Sequence, residues 1–588
     1  MRTRTLYTNN PGFPHSLRIY TVYLVFFFLT MLVDTKTFAY TSADEIPTDP
    51  MLASTSKTDL LYTLLIAEMA GHRNMKRVAL HHYMEAANLI TDPKVAEEAT
   101  LLAINLEAPE EAIKSAELWA KRDPHNIQAQ LIAMTLLISQ SLDRAIPYLT
   151  RAIDLQPMEA DQTIIEIQAR LSEKSANNLK RALHRIALDR PKDPYAQLTA
   201  AQSFAEAKDA RGAARWVDSA LKLKPELTRG IVLKSRLIRY EKNAEAPALQ
   251  YLKSEQERFP QDKELRFFYA RALIDAEKIE EAKDQLMILT SDKVLGGPAL
   301  LFLGEIYLKE NRLTEAQNTF RKALTLPESK DAALYLLGEI EERQNHPTAA
   351  IDSYTSVSPG TYHVPAALRA ITLLKQKKAY AEAINVLHNT TPANLQEQKH
   401  LLITEIDLLN RNKKPEDAMQ LADEILPKLP NDTDILFIHA TTAINLGKWE
   451  IAEADLKNIL KQHPDNASAL NALGYTISFN ESRLPEAIHY MTQALSIAPN
   501  NPHFMDSMGW AYFRLGKLEE ALNYLQKAHQ ISPDAKIAAH FGEVLWMNNQ
   551  KTEAKQIWKK ALDTDTDHEE LLNTLKRLDV KLSSESDL

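Results

Sequence analysis

Apolar residues recur at helical spacing over short blocks of this chain, and the blocks come in pairs. The stretch 502–535 shows one pair. MDSMGWAYFRLG carries apolar side chains at helical spacing and stops at Gly516. LEEALNYLQKAHQI follows, with acids in its first turn, and ends before Pro533. The pair recurs. A small residue in the second block falls at Ala79, Ala112, Ala145, Ala213, Ala248, Ala282, Ala316, Ala350, Ala383, Ala418, Ala452, Ala487, Ala521 and Ala554. Gaps are 33 to 35 residues except one of 68, whose midpoint holds Leu179 in a degenerate unit. A proline stands twelve residues after the marker in nine units, at Pro124, Pro157, Pro191, Pro225, Pro260, Pro430, Pro464, Pro499 and Pro533. Proline cannot continue a helix and restricts the residue before it, so it suits the break between units. The pattern predicts about fifteen helix pairs. The small marker lets the two helices of a pair approach closely, where a larger side chain would force them apart.

The N-terminus breaks this pattern. Arg2, Arg4 and Arg18 precede an apolar run, IYTVYLVFFFLTMLV, from Ile19 to Val33. Fifteen helical residues rise about 22 Å, short of the roughly 30 Å hydrocarbon core, so the run predicts a cleaved export signal. Thr37-Phe38-Ala39 supplies a small-x-small cleavage site, giving a signal over 1–39 and a polar linker over 40–58. An uncleaved inner-membrane anchor at 19–33 is the alternative.

Composition narrows the picture further. The chain has 588 residues, 45 % apolar and 25 % charged, which is the balance of a folded protein. Its 14 glycines disfavour β-rich and glycine-loop nucleotide-binding folds. With no cysteine it has no disulfide, thiolate nucleophile, cysteine zinc site or bacterial lipid attachment. Net charge is 69 − 78 = −9, which offers nucleic acid no basic field.

The repeat resembles the tetratricopeptide family, whose pattern is W-x2-L-G-x2-Y, then A-x3-F, A and P. The unit at 297–330 matches at Leu303, Gly304, Tyr307, Ala316, Phe320 and Ala323, with Pro327 one place early. The unit at 502–535 matches at Met508, Gly509, Tyr512, Ala521, Leu525, Ala528 and Pro533. The resemblance implies an all-α tetratricopeptide-repeat superhelix, an α-solenoid, over 59–566. HEELLNTLKRLDVKL at its end reads as a capping helix within 567–582, and 583–588 as a polar tail. Such arrays bind many unrelated partners, so the fold leaves function open.

Catalytic motifs are missing. Gly447-Lys448 and Gly516-Lys517 lack a P-loop's upstream glycine, and no G-x-S-x-G, G-x-G-x-x-G or H-E-x-x-H occurs. His81 and His82 are adjacent on a helix and point about 100° apart, so they read as ordinary exposed histidines. No catalytic residue, cofactor or metal ligand is assigned. The candidate site is instead a partner-binding groove. In stacked helix pairs the first helix lines the concave side, which brings Asn471, Tyr475, Phe479, Asp506, Trp510, Phe513, Arg514, Glu543 and Trp546 together. Five aromatics beside Asp, Arg and Asn have the composition of interface anchors, and equally of rings packed between neighbouring helices. Trp449 and Trp558 are expected in the core. The carboxylate clamp of cytosolic co-chaperones is absent, since its places hold Tyr475, Trp510, Glu543, Glu305 and Glu339.

The C-terminal units also resemble long tetratricopeptide outer-membrane lipoproteins of Gram-negative bacteria. That resemblance implies a non-enzymatic envelope scaffold with protein partners. One group of these lipoproteins adapts a periplasmic carboxyl-terminal processing protease to cell-wall hydrolases, but they carry a lipidation cysteine that this chain lacks. A docking module of an exopolysaccharide or pilus secretion system is the alternative.

Overall fold

A computed structural model describes residues 57–582 apart from 74, 158–159 and 243–244. The predicted signal, anchor, tail and most of the linker lie outside the described residues. Among the described residues there are helices and turns and no strand. No described helix is long and apolar enough to cross a membrane. The helices form fifteen antiparallel pairs and one closing helix, divided between two compact units at Ser329/Lys330. The first unit holds eight pairs, from Lys57–His72 to Leu313–Ala323; the second holds seven, from Lys330–Arg343 to Lys551–Thr564, and then Glu569–Arg577. The degenerate unit is a full pair, Ala160–Arg170 and Glu173–Asp189, with Leu179 buried where the others have alanine.

Local chemistry sets the boundaries. The unit-ending proline is followed two residues later by Asn126, Asp193, Asp262, Asp432, Asn466 or Asn501. Each of these side chains accepts hydrogen bonds from backbone N–H groups in the first turn of the next helix. One three-residue signature thus closes one pair and caps the next. In ten of the fifteen pairs the turn places one described residue in the left-handed region. Among the described residues, only Gly447 and Gly516 fill that position with glycine; Asn311, Asn345 and Asn549 fill it with the next most tolerant residue. Lys208, Glu277, Lys378 and Lys413 hold φ of 56° to 58° there, which costs a side chain about 1 kcal/mol. Replacing the exposed Glu277 by glycine is therefore expected to stabilise the first unit by about 0.5–1 kcal/mol, read as a higher urea midpoint.

The core is the seam between the two helices of each pair. All fourteen marker alanines are buried. Opposite them, five glycines give the second helix's bulky side chain room: Gly304 faces Phe320, Gly338 Tyr354, Gly474 Met491, Gly509 Leu525 and Gly542 Trp558. A methyl group at Gly304 would stand 2.3 Å from the Phe320 ring. Gly304→Ala is accordingly expected to lose about 1–3 kcal/mol through overpacking, measured by denaturant titration.

The closing helix covers the last pair with Leu571, Thr574 and Leu575 buried, and Leu578, Val580 and Leu582 pack on after it. Helical structure stops at Arg577, with Asp579 left-handed, short of the end of the predicted capping segment at 582. The second unit also closes on itself. Lys378, in the turn of its second pair, meets Asp565 at 2.7 Å and also Asp567, and Lys413 in the next turn meets Glu569 at 3.1 Å.

Candidate functional site

Three consecutive first helices, Ala467–Ser478, Pro502–Arg514 and Ala535–Met547, carry the predicted groove residues apart from Phe479, which follows Ser478 directly. Neighbouring units stand one repeat apart, so residues about 34 positions apart in sequence meet in space. Asn471 donates to Ser507 Oγ at 3.2 Å, and Arg514 Nη1 donates to the Ser478 carbonyl at 2.6 Å. The helices are laced together by these one-period links.

Two predicted groove residues turn out to be fastenings. Asp506 is only 3 % exposed, and both its oxygens accept from His540 Nδ1, at 2.9 and 3.0 Å. Glu543 is equally buried and takes two hydrogen bonds from Arg577, at 2.7 and 2.5 Å. Neither carboxylate is open to a partner, because burying one without a countercharge would be costly and the next unit supplies that charge. His540, Glu570 and Arg577 did not figure among the predicted residues. The available signal was a complementary charge one period downstream, 34 residues on in both cases.

His540 lies between the two carboxylates, with Glu570 Oε1 at 3.2 Å from Nε2. Burial alone would push its pKa down, but Asp506 and then Glu570 outweigh it and hold the pKa at about 9. At neutral pH it is an imidazolium with both nitrogens donating. Its ring stacks on Trp510 with centroids 4.2 Å apart and planes 19° from parallel. A cleft of about 410 Å³ opens beside it, lined by Trp510, His540, Glu543, Glu570, Asn573 and Arg577. A second buried histidine, His439, is likewise held between Asp455 at 2.5 Å and Asp423 at 3.0 Å. There burial pulls the pKa down and the two carboxylates more than reverse it.

The aromatics separate into two sets. Trp510 and Phe513 are half-buried and 5.2 Å apart. Trp546 lies over the fully buried Trp558, centroids 5.9 Å apart, with Lys551 Nζ 5.0 Å from its ring. Trp558 occupies the core as expected. Trp449 does not: it begins the helix Trp449–Gln462, is half-exposed, and stacks on Phe479 at 4.3 Å. The turn after Ser478 carries Phe479 out to it, so an aromatic missing from the predicted groove joins Phe479 and Tyr475 in one ledge. Phe479 is 39 % exposed and meets Tyr475 edge-on at 5.2 Å. Arg514 lies over the Phe479 ring at 5.6 Å and Lys536 over Tyr475 at 5.3 Å. Neither cation has a carboxylate within ion-pair distance among the described residues.

Tandem helix pairs laced to their neighbours through the first helices define an α-helical repeat array. Tetratricopeptide repeat family models match residues 301–357, 439–502 and 503–535. The TPR repeat-containing protein PA4667 of Pseudomonas aeruginosa is 30 % identical over 517 residues, 85 % of each chain. The chain belongs to the tetratricopeptide repeat family, whose members act generally as scaffolds for protein–protein interaction. Over 297 residues it is also 22 % identical to the cellulose synthase operon protein C of Pseudomonas fluorescens, covering 45 % of this chain and 22 % of that one. Among solved structures, the APC/C hetero-tetramer Cut9–Hcn1 aligns over 88 % of this chain and 96 % of its own, at 13 % identity and a TM-score of 0.34.

Proposed function

We propose that this chain is an exported, non-catalytic scaffold of the bacterial cell envelope that holds an extended segment of a protein partner against the ledge of Trp449, Phe479 and Tyr475. The observation that carries the reading is the exposed Phe479 with Arg514 over its ring, beside Tyr475 with Lys536 over its own, neither cation having a carboxylate within ion-pair distance among the described residues. Aromatic and arginine side chains of this kind are what interfaces use as anchors. Delivery of substrates to a periplasmic protease fits such a scaffold: one partner would occupy the ledge while the protease engages another face. Export rests on the apolar run 19–33 with its preceding arginines.

A second reading is supported by the likeness to a cellulose synthase operon protein: the array would dock on an exopolysaccharide secretion complex. Co-purification from envelope extract separates the two. A protease with cell-wall hydrolases supports the first, and synthase or secretin subunits the second. In either case Phe479→Ala is expected to weaken partner binding by about 2 kcal/mol, roughly thirtyfold, with helicity unchanged by circular dichroism. Undiminished binding would remove the ledge from consideration.

A further inference from the structure

The first helix of the array, Lys57–His72, is apolar on both sides. One side packs on the helix Lys76–Leu89 through Ala67 and Ala70. The other leaves Leu61 70 %, Tyr62 63 %, Leu65 55 % and Met69 45 % exposed. Positions 61, 65 and 69 are one turn apart and form a continuous stripe. Elsewhere in the array many of the same places are covered, and the two that are exposed fourteen residues before the marker carry charge, Glu98 and Arg369. Fourteen residues before the marker stand Leu131, Thr199, Ser507 and His540, where the first pair has Leu65. Ten before it stand Ser203, Ile306, Thr442, Ala511 and Val544, where the first pair has Met69. All nine are buried. A terminal repeat ordinarily turns a polar face outward, and this one turns out large apolar side chains.

The stripe runs directly into a basic turn. His72, Arg73, Lys76 and Arg77 are exposed around the exposed Met75. Among the described residues no carboxylate pairs with Arg73, Lys76 or Arg77; Lys76 Nζ reaches only Asn105 Oδ1, at 3.4 Å. Of the two acids in the helix, Asp59 and Glu68, the second is engaged by the Tyr83 hydroxyl at 2.7 Å. In a chain of net charge −9 this concentration of unpaired positive charge stands out.

From these observations we propose that the stripe and the basic turn together dock on an anionic lipid surface. Leu61, Tyr62, Leu65 and Met69 would enter the interfacial region, and Arg73, Lys76 and Arg77 would lie against phosphate headgroups. A helix lying in a bilayer interface needs that combination of apolar face, interfacial tyrosine and adjoining cations. Charge complementarity selects lipid over the segment immediately upstream: it calls for a negative surface alongside a continuous apolar layer, whereas residues 40–56 offer three acids and few large apolar residues. The proposal is independent of the groove reading and survives its failure.

The absence of cysteine allows a local test in the full chain. An environment-sensitive fluorophore on Leu65→Cys reports this face alone, and one on Leu572→Cys, exposed on the closing helix, serves as control. Vesicles of mixed phosphatidylglycerol and phosphatidylethanolamine are expected to shield the Leu65 label from iodide at least fivefold and leave the control unchanged. Arg73→Gln, Lys76→Gln and Arg77→Gln combined should weaken that shielding by two orders of magnitude in lipid concentration, at about a factor of five per charge. An unshielded Leu65 label overturns the proposal. So does equal shielding by neutral phosphatidylcholine vesicles. Shielding already present without vesicles would assign the face to residues 40–56 or to a second copy of the chain, and overturns it as well.

Discussion

Trp558→Ala is expected to destabilise the C-terminal unit by about 4 kcal/mol, the loss typical of deleting a fully buried indole. Trp558 is fully buried in the last pair. Its ring sits against Gly542, where even one added methyl would come within 2.2 Å of Nε1, and Nε1 donates to the Ala539 carbonyl at 3.4 Å. The site cannot collapse readily, because the glycine backbone opposite is held by its own helix and by His540 and Glu543 on either side. In a repeat array each pair contacts mainly its neighbours, so the damage should be local. Hydrogen exchange should show protection lost over 535–577 and retained over 57–329. Uniform loss over both units would contradict the nearest-neighbour picture.

Asp506→Ala should cost about 3 kcal/mol, since it strands a buried imidazolium with only Glu570 remaining. The same substitution should alter the response to pH. Folding raises the pKa of His540 from an ordinary value near 6.5 to about 9. A raised pKa means the folded state binds the proton more tightly. Its contribution, about 3 kcal/mol, is therefore complete below about pH 6.5 and fades as pH climbs through about 9. Urea titrations at about pH 6 and about pH 10 should show wild-type losing that increment relative to the Asp506→Ala variant. Parallel pH profiles for the two proteins would mean that His540 is not charged in the folded state.

Much of this architecture is legible in the chain itself. A marker alanine every 34 residues must be buried wherever two helices approach closely, and all fourteen are. The proline followed by Asp or Asn two residues on carries both a stop and a cap, which is why pair boundaries could be read without tertiary knowledge. The five glycines mark where a bulky partner on the second helix needs space, four residues beyond the marker.

The candidate site was only half legible. Helical periodicity puts Asp506, Trp510 and Glu543 on one face, but not whether that face meets solvent or the next unit. His540 and Arg577 decide this by reaching across one repeat and drawing both carboxylates inward. Trp449 shows the converse. Read along its own helix it belongs in the core; the turn after Ser478 presents Phe479, and stacking at 4.3 Å holds the indole at the surface. The first pair adds a third case: periodicity shows the apolar stripe at Leu61, Leu65 and Met69, and only the structure shows these side chains exposed.

The sequence by itself determined the repeat, its period, its boundaries and its close-packed seam, because these depend on contacts within a pair, and pair members lie within one 34-residue window. Which polar groups are fastenings, which rings form a ledge and which helix face stays open were decided only by tertiary structure. Each depends on what the neighbouring unit brings across the gap, and a single unit's pattern carries no record of that.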